Sequence, residues 1–179
     1  PIERVFKPTA NSGGQITTFK NSEQAVIFGA EIEMLFQLSR INESLSNFSL
    51  GFNTSLMSTD VKVDPTKQGN ELENSTNRKL QGASSWLINS DLKYDFVLRK
   101  DWKNSMTLVY NVYGDRIFAV GSSGIDHIYE KSFSKLDFIW TSSLSKNIEL
   151  KFGVDNILNP SYKKELGSKS TINITEDSL

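Results

Sequence analysis

From Ala25 to Ser39 every even position is apolar: Val26, Phe28, Ala30, Ile32, Met34, Phe36 and Leu38. Glu31, Glu33 and Gln37 stand among the odd positions between them. A period of two puts the two sets on opposite faces of a β-strand. Five further stretches repeat the pattern. The first spans roughly 24–39 and the second about 47–63, where Phe48, Leu50, Phe52, Thr54 and Leu56 oppose Ser49, Gly51, Asn53 and Ser55. In the third, about 86–99, Trp86, Ile88, Leu92, Tyr94, Phe96 and Leu98 oppose Asn89, Asp91, Lys93, Asp95 and Arg99. The fourth sets Met106, Leu108, Tyr110 and Val112 against Thr107, Asn111 and Tyr113. The fifth sets Leu136, Phe138, Trp140 and Leu144 against Lys135, Asp137, Thr141 and Ser143. In the sixth, Ile148, Leu150, Phe152 and Val154 oppose Glu149, Lys151 and Asp155.

Ordinary strands run to about 5–6 residues, whereas a tilted strand crossing a bilayer needs about 9–11. Long alternation with charge on one face therefore predicts an all-β chain: an antiparallel transmembrane β-barrel segment of about six long meander strands. A soluble antiparallel sandwich alternates in the same way. Strand length is what favours the barrel.

The links between these strands alternate in length. Arg40–Ser46, Lys100–Asn104 and Ser145–Asn147 are short, whereas Lys7–Glu23, Asp64–Ser85, Gly121–Lys131 and the polar tail Asn159–Leu179 are longer. Outer-membrane barrels have short periplasmic turns and long extracellular loops. The short set is accordingly expected on the periplasmic side and the long set outside.

Composition refines this picture. The chain has 179 residues, a formal net charge of −1 and mean hydropathy of −0.36. No apolar run approaches the ~18 residues of a membrane helix. In a barrel wall only alternate residues meet lipid, so low mean hydropathy is expected there too. Interspersed charges give no reason to expect a nucleic-acid partner. Cysteine is absent, so a disulfide framework and Cys-based metal sites are excluded. The chain opens on Pro1, with no basic start followed by an apolar core, so no signal peptide is visible.

Candidate chemistry is sparse. His127, the only histidine, stands beside Asp126 with Glu130 nearby; one imidazole in a predicted loop is a poor transition-metal site. Asp64, Glu71 and Glu73 lack the ligand spacing of a calcium loop. Glu31, Glu33, Asp91, Lys93, Asp95, Lys135, Asp137, Glu149 and Lys151 read as charges on a wet interior face, paired across strands. With one histidine and no cysteine, no nucleophile–base arrangement is identifiable. The expectation is no enzyme, no catalytic residues, no metal and no cofactor. Trp86 and Trp102 are expected in interfacial aromatic belts, with ligand stacking on Trp86 as the alternative. The Asn-X-Ser/Thr triplets at Asn42, Asn47, Asn53, Asn74 and Asn173 reflect high Asn and Ser content.

Several words along the chain resemble the C-terminal barrel of TonB-dependent outer-membrane receptors, the Bacteroidota type especially. They are Arg78–Asn89 (RKLQGASSWLIN), Tyr110–Gly121 (YNVYGDRIFAVG), Ile128–Lys131 (IYEK) and Asp155–Tyr162 (DNILNPSY), preceded by GGQITTFKNSEQAVIFGAEIE. They follow one another in the family's order and cover most of the chain. The resemblance implies that residues 1–179 are one partial receptor barrel without the plug domain and the final strand. Its surroundings would be outer-membrane lipid, the remaining strands, the plug and, through the plug, the TonB energy-transducing complex. The whole protein would import a scarce ligand across the bacterial outer membrane. Two other functions fit the pattern: a passive porin or adhesin barrel, and a soluble β-sandwich binding module. Gly82 and Gly121 are expected to mark loop boundaries where backbone freedom is useful, and Pro160 to end pairing beyond Asn159.

Overall fold

The computed structural model describes residues 1–8, 15–22, 24–63, 77–99, 102–122, 124–167 and 173–176. Among them the strands are β1 (Ile2–Pro8), β2 (Gln15–Asn21), β3 (Gln24–Gln37), β4 (Phe48–Lys62), β5 (Asn77–Arg78), β6 (Trp86–Arg99) and β7 (Trp102–Tyr113). They continue with β8 (Arg116–Gly121), β9 (Ile128–Glu130), β10 (Phe133–Ser145), β11 (Ile148–Val154), β12 (Tyr162–Leu166) and β13 (Asn173–Glu176). Two 3-10 turns, Leu38–Arg40 and Glu43–Leu45, join β3 to β4. Asn42 caps the second by accepting a hydrogen bond from the Ser44 N–H at 2.9 Å.

The six alternations are six strands, five of 12–15 residues and one, β11, of only 7. They pair as one antiparallel sheet in the order β11-β10-β7-β6-β4-β3, with β5 against β4. Neither this sheet nor the second one closes into a barrel. β3 pairs only with β4 and β11 only with β10, so each is an open edge among the described residues. Both edges are exposed nearly throughout their length.

The long links hold more structure than a reading as loops allows. β1, β2, β8, β9, β12 and β13 form a second sheet in the order β13-β12-β9-β8-β1-β2. Its pairings are antiparallel, except that β1 runs parallel to β8 at Val5 and Phe6. β2, β9, β12 and β13 fall within the segments expected to be extracellular, whereas β1 and β8 lie almost wholly outside them; all join the long sheet at the same end. The Lys100–Asn104 link is also corrected, because β7 already begins at Trp102; residues 100 and 101 lie outside the described ones. So does most of the expected Asp64–Ser85 loop, with Asp64, Glu71, Glu73 and Asn74.

Residues 77–86 bridge the sheets. β5 pairs with β4 at Val61 and Lys62, and from it Arg78 reaches Glu3 in β1 with two hydrogen bonds of 2.7 and 2.6 Å. Gln81 accepts from the Arg4 N–H at 2.5 Å and donates to the Phe118 carbonyl. The Gly82 N–H donates to the Ile117 carbonyl at 2.9 Å. Gly82 has φ +76°, a conformation that glycine adopts without a Cβ penalty. Gly121 is required for a different reason: a Cβ there would collide with the Ile125 and Asp126 carbonyls.

The buried apolar core sits in the short sheet. Val5, Phe6, Ile117, Ala119, Val120 and Ile128 are buried there, and Phe118, Ile125 and Leu166 pack against the cluster.

Candidate functional site

Register decides which residues share a face, because directly paired residues of an antiparallel sheet point the same way. Phe36, Leu50, Leu92, Leu108, Phe138 and Val154 form one unbroken row across all six long strands. Two residues along, Phe48, Tyr94, Met106, Trp140 and Phe152 form the next row of the same parity. Even-numbered residues therefore make one largely apolar face, interrupted by Thr54, Ser90, Asn104, Ser134 and Ser142 and, where β3 begins and β4 ends, by Gln24, Ser58, Asp60 and Lys62. Nothing covers it: Phe36 is 47%, Leu108 41% and Phe152 57% exposed.

The opposite face is polar. Glu33, Asn53, Asn89, Asn111 and Lys135 form a complete cross-strand row. Asn53 donates to the Glu31 carboxylate at 2.5 Å, and Asn89 donates to the Asn53 carbonyl at 3.4 Å. Ala25, Ile27, Leu35, Met57, Val61, Leu87, Val97, Val109, Phe133 and Ile139 are apolar exceptions on this side. Ion pairing here is partly cross-strand, since Lys135 comes within 4.0 Å of Asp155 just past the end of β11, but the closer pairs run along a strand. Lys93 meets Asp95 at 3.0 Å and Lys135 meets Asp137 at 2.9 Å, each two residues along one strand. Cross-strand neighbours of these lysines are Ser49 and Thr107 for Lys93 and Asn111 for Lys135, so no carboxylate is directly opposite. Above Gly51 a cavity of about 200 Å³ opens beside Glu33, Asn53, Asn89 and Asp91.

Aromatic side chains gather where the short links are. Phe48 stacks on Tyr94 at 4.5 Å and Tyr94 on Phe96 at 5.2 Å. The Trp102 indole donates to Ser142 Oγ at 2.7 Å, and the Trp140 indole to Asn104 Oδ1 at 3.2 Å. Trp86 stands eight residues from Tyr94 on the same face of β6. That is roughly 26 Å along the strand at ~3.3 Å per residue. Its indole lies against Gly114, where a Cβ would come within 2.5 Å of Nε1.

At the far end the DNILNPSY turn closes the sheet. Asn156 and Asn159 have φ of 55° and 42°, a left-handed conformation that Asn tolerates. The Asn156 N–H donates to the Asp137 carboxylate at 2.7 Å.

Charged groups are buried in and beside the short sheet. Glu3 is 2% and Arg78 8% exposed. Burial works against the Glu3 charge, yet the Arg78 and Ser22 hydrogen bonds prevail and hold its carboxyl below the usual range. Glu130 behaves alike: burial opposes ionisation, but hydrogen bonds from Arg116, Tyr113 and Tyr162 outweigh it and lower its pKa. Arg116 reaches Glu130 at 2.8 Å and the Tyr113 hydroxyl donates to it at 2.6 Å. Lys131, bound to Asp115 outside this cluster, has its pKa raised chiefly by that hydrogen bond.

His127 is no solvated loop residue. Its Nδ1 accepts from the Gly121 N–H at 3.0 Å, its carbonyl accepts from the Gly167 N–H at 2.9 Å, and its ring meets Tyr129 edge-on. It ties the β8–β9 turn to the end of β12. No group of three or more metal-binding side chains converges among the described residues.

No protein-family model, curated protein or solved structure matches the chain.

Proposed function

We propose that the chain is part of the wall of an outer-membrane β-barrel, belonging to a receptor that takes up a scarce ligand with TonB-supplied energy. The apolar row from Phe36 to Val154, unbroken across six strands and uncovered among the described residues, carries this reading. A soluble sandwich would bury that face against another sheet. Here the buried apolar residues belong mainly to the short sheet instead. In a bilayer, lipid covers the even face and the polar odd face lines a wet interior. The strand length from Trp86 to Tyr94 spans about 20 Å of bilayer at the ~40° tilt of such strands, most of the ~25 Å apolar band. Open edges at β3 and β11 then require further strands, because no water satisfies edge amides in hydrocarbon.

The receptor assignment rests on the ordered family-like words, and the geometry agrees with the orientation they imply. Short links lie at one end of the sheet, at the periplasm, and the short sheet lies at the other, on the cell surface.

Two experiments test this. In the whole protein on intact cells, a Cys at Lys79 is expected to react with an impermeant thiol reagent and one at Lys146 is not. The reverse pattern would invert the orientation, and extraction without detergent would discard the membrane. Uptake that survives loss of the TonB complex would replace the receptor with a passive porin.

A further inference from the structure

One face of the short sheet gathers three cations over two rings. The Arg4 guanidinium lies 4.6 Å from the centre of Phe118, and the Lys164 ammonium lies 4.0 Å from the same centre on its way from β12. Arg116 sits nearby over Tyr113, at 4.4 Å. Glu130 is the one carboxylate lining this cavity, and Arg116 and Tyr113 already hold it. Arg4, by contrast, meets no carboxylate among the described residues. Its backbone is nonetheless fixed, because its N–H is bound to Gln81 and Gln81 in turn to the Phe118 carbonyl. Between these side chains opens a cavity of about 500 Å³, within the usual range for small-molecule sites. At its rim two large apolar side chains stand in solvent, Ile2 at 74% and Phe19 at 70% exposed.

Three features therefore converge in a chain of net charge −1: clustered cations, a guanidinium that meets no carboxylate among the described residues, and an apolar rim. A guanidinium presents a planar fork of donors that matches a carboxylate. Partial burial strengthens that attraction relative to open water. Phe118, Phe19 and Ile2 offer surface to an apolar or aromatic body, which an inorganic anion lacks.

We infer that this groove is a binding site for a small organic carboxylate, its head on Arg4 and its body against Phe118, Phe19 and Ile2. The groove is lined by the short sheet and by Gln81 and Gly82 of the bridging segment, with no residue of the long strands, so its failure would leave the membrane reading intact.

The test uses the whole protein in detergent, with benzoate as probe, its neutral isostere benzamide, and inorganic phosphate, read by calorimetry or saturation-transfer NMR. Benzoate is expected to bind saturably and at least about tenfold more tightly than benzamide or phosphate. Arg4→Gln is expected to weaken benzoate about tenfold or more, as loss of a charge-assisted bond does. Phe19→Ser is expected to weaken benzoate and leave phosphate unchanged, whereas Lys79→Gln, an exposed cation outside the groove, changes neither. Unchanged heat-modified migration on gels checks that each variant folds. Equal affinity for benzamide, equal affinity for phosphate, or undiminished binding by folded Arg4→Gln would each overturn the assignment, as would no benzoate binding at all.

Discussion

Leu108 in β7 is 41% exposed, whereas Val120 in β8, the next strand along the chain, is wholly buried. Both are aliphatic strand residues, and the difference lies in what each sheet faces. The short sheet folds as a water-soluble protein does, with an apolar cluster of Phe6, Ala119 and Ile128 and its carboxylates Glu3 and Glu130 paired with arginines. The long sheet buries little and leaves a whole apolar face open. One sequence thus carries two patterns of burial, and in the proposed reading lipid covers the even face of the long strands.

The largest expected effect breaks the long sheet itself. Residues 1–179 expressed alone are expected to aggregate or fail to form a heat-resistant species in detergent, because β3 and β11 are long unpaired edges. A monodisperse, water-soluble monomer on size-exclusion chromatography would contradict this.

Next is the bridge between the sheets. In the whole protein, Arg78→Ala leaves Glu3 buried without its counter-charge and is expected to cost about 3–5 kcal/mol in the short sheet. Hydrogen exchange should show β1 and β8 opening while β6 and β7 keep their protection. Equal loosening of both sheets would mean that they are not separate units.

Faces within the long sheet are separated by arginine substitution. Leu108→Arg is expected to destabilise the protein by about 2–4 kcal/mol in bilayers, and Thr107→Arg by much less. Unfolding from liposomes in urea measures both, and equal costs would remove the distinction between the faces. At the surface end, Gly114→Ala pushes a methyl into the Trp86 indole and is expected to cost about 1–3 kcal/mol as overpacking does.

The smallest effect comes from acid. Glu3 and Glu130 both have folded pKa values below the unfolded one. Their stabilisation is present above the unfolded carboxylate value and is lost as pH falls through the lower, folded values. Proteolysis below pH 4 should therefore cut the short sheet first, with the long sheet protected. No pH dependence in that window would mean that these pairs add nothing.

The six long strands were legible because period-two patterning is local. The stretch 86–99 gave the bounds of β6, and 24–39 overshot β3 by two residues because Leu38 continues the parity into a 3-10 turn. The short sheet was not legible, for physical reasons that differ by strand. β8 reads Ile117, Phe118, Ala119, Val120 without alternation, because most of it is buried on both faces. β9 has three residues, too few for any period. In β1 one of the three buried positions belongs to Glu3, whose partner Arg78 is 75 residues away. In β12 Lys164 is buried over two rings, where a lysine reads as solvent-facing. The word RKLQGASSWLIN contains the segment that joins the sheets, but the bonds that join them, from Arg78, Gln81 and Gly82, go to residues distant in the chain. The groove around Arg4 carried no sequence signal, since β1, β8, β9 and β12 build it together.

Spin labels placed singly at residues 105–111 of β7, in the whole protein reconstituted in bilayers, test the two-faced wall most directly. Collision rates with oxygen, which concentrates in lipid, and with a water-soluble nickel chelate should oscillate with period two and in opposite phase. The account predicts oxygen maxima at 106, 108 and 110, and nickel maxima at 105, 107, 109 and 111. High nickel accessibility at 108 equal to that at 107, or oscillation in the reverse phase, would contradict it.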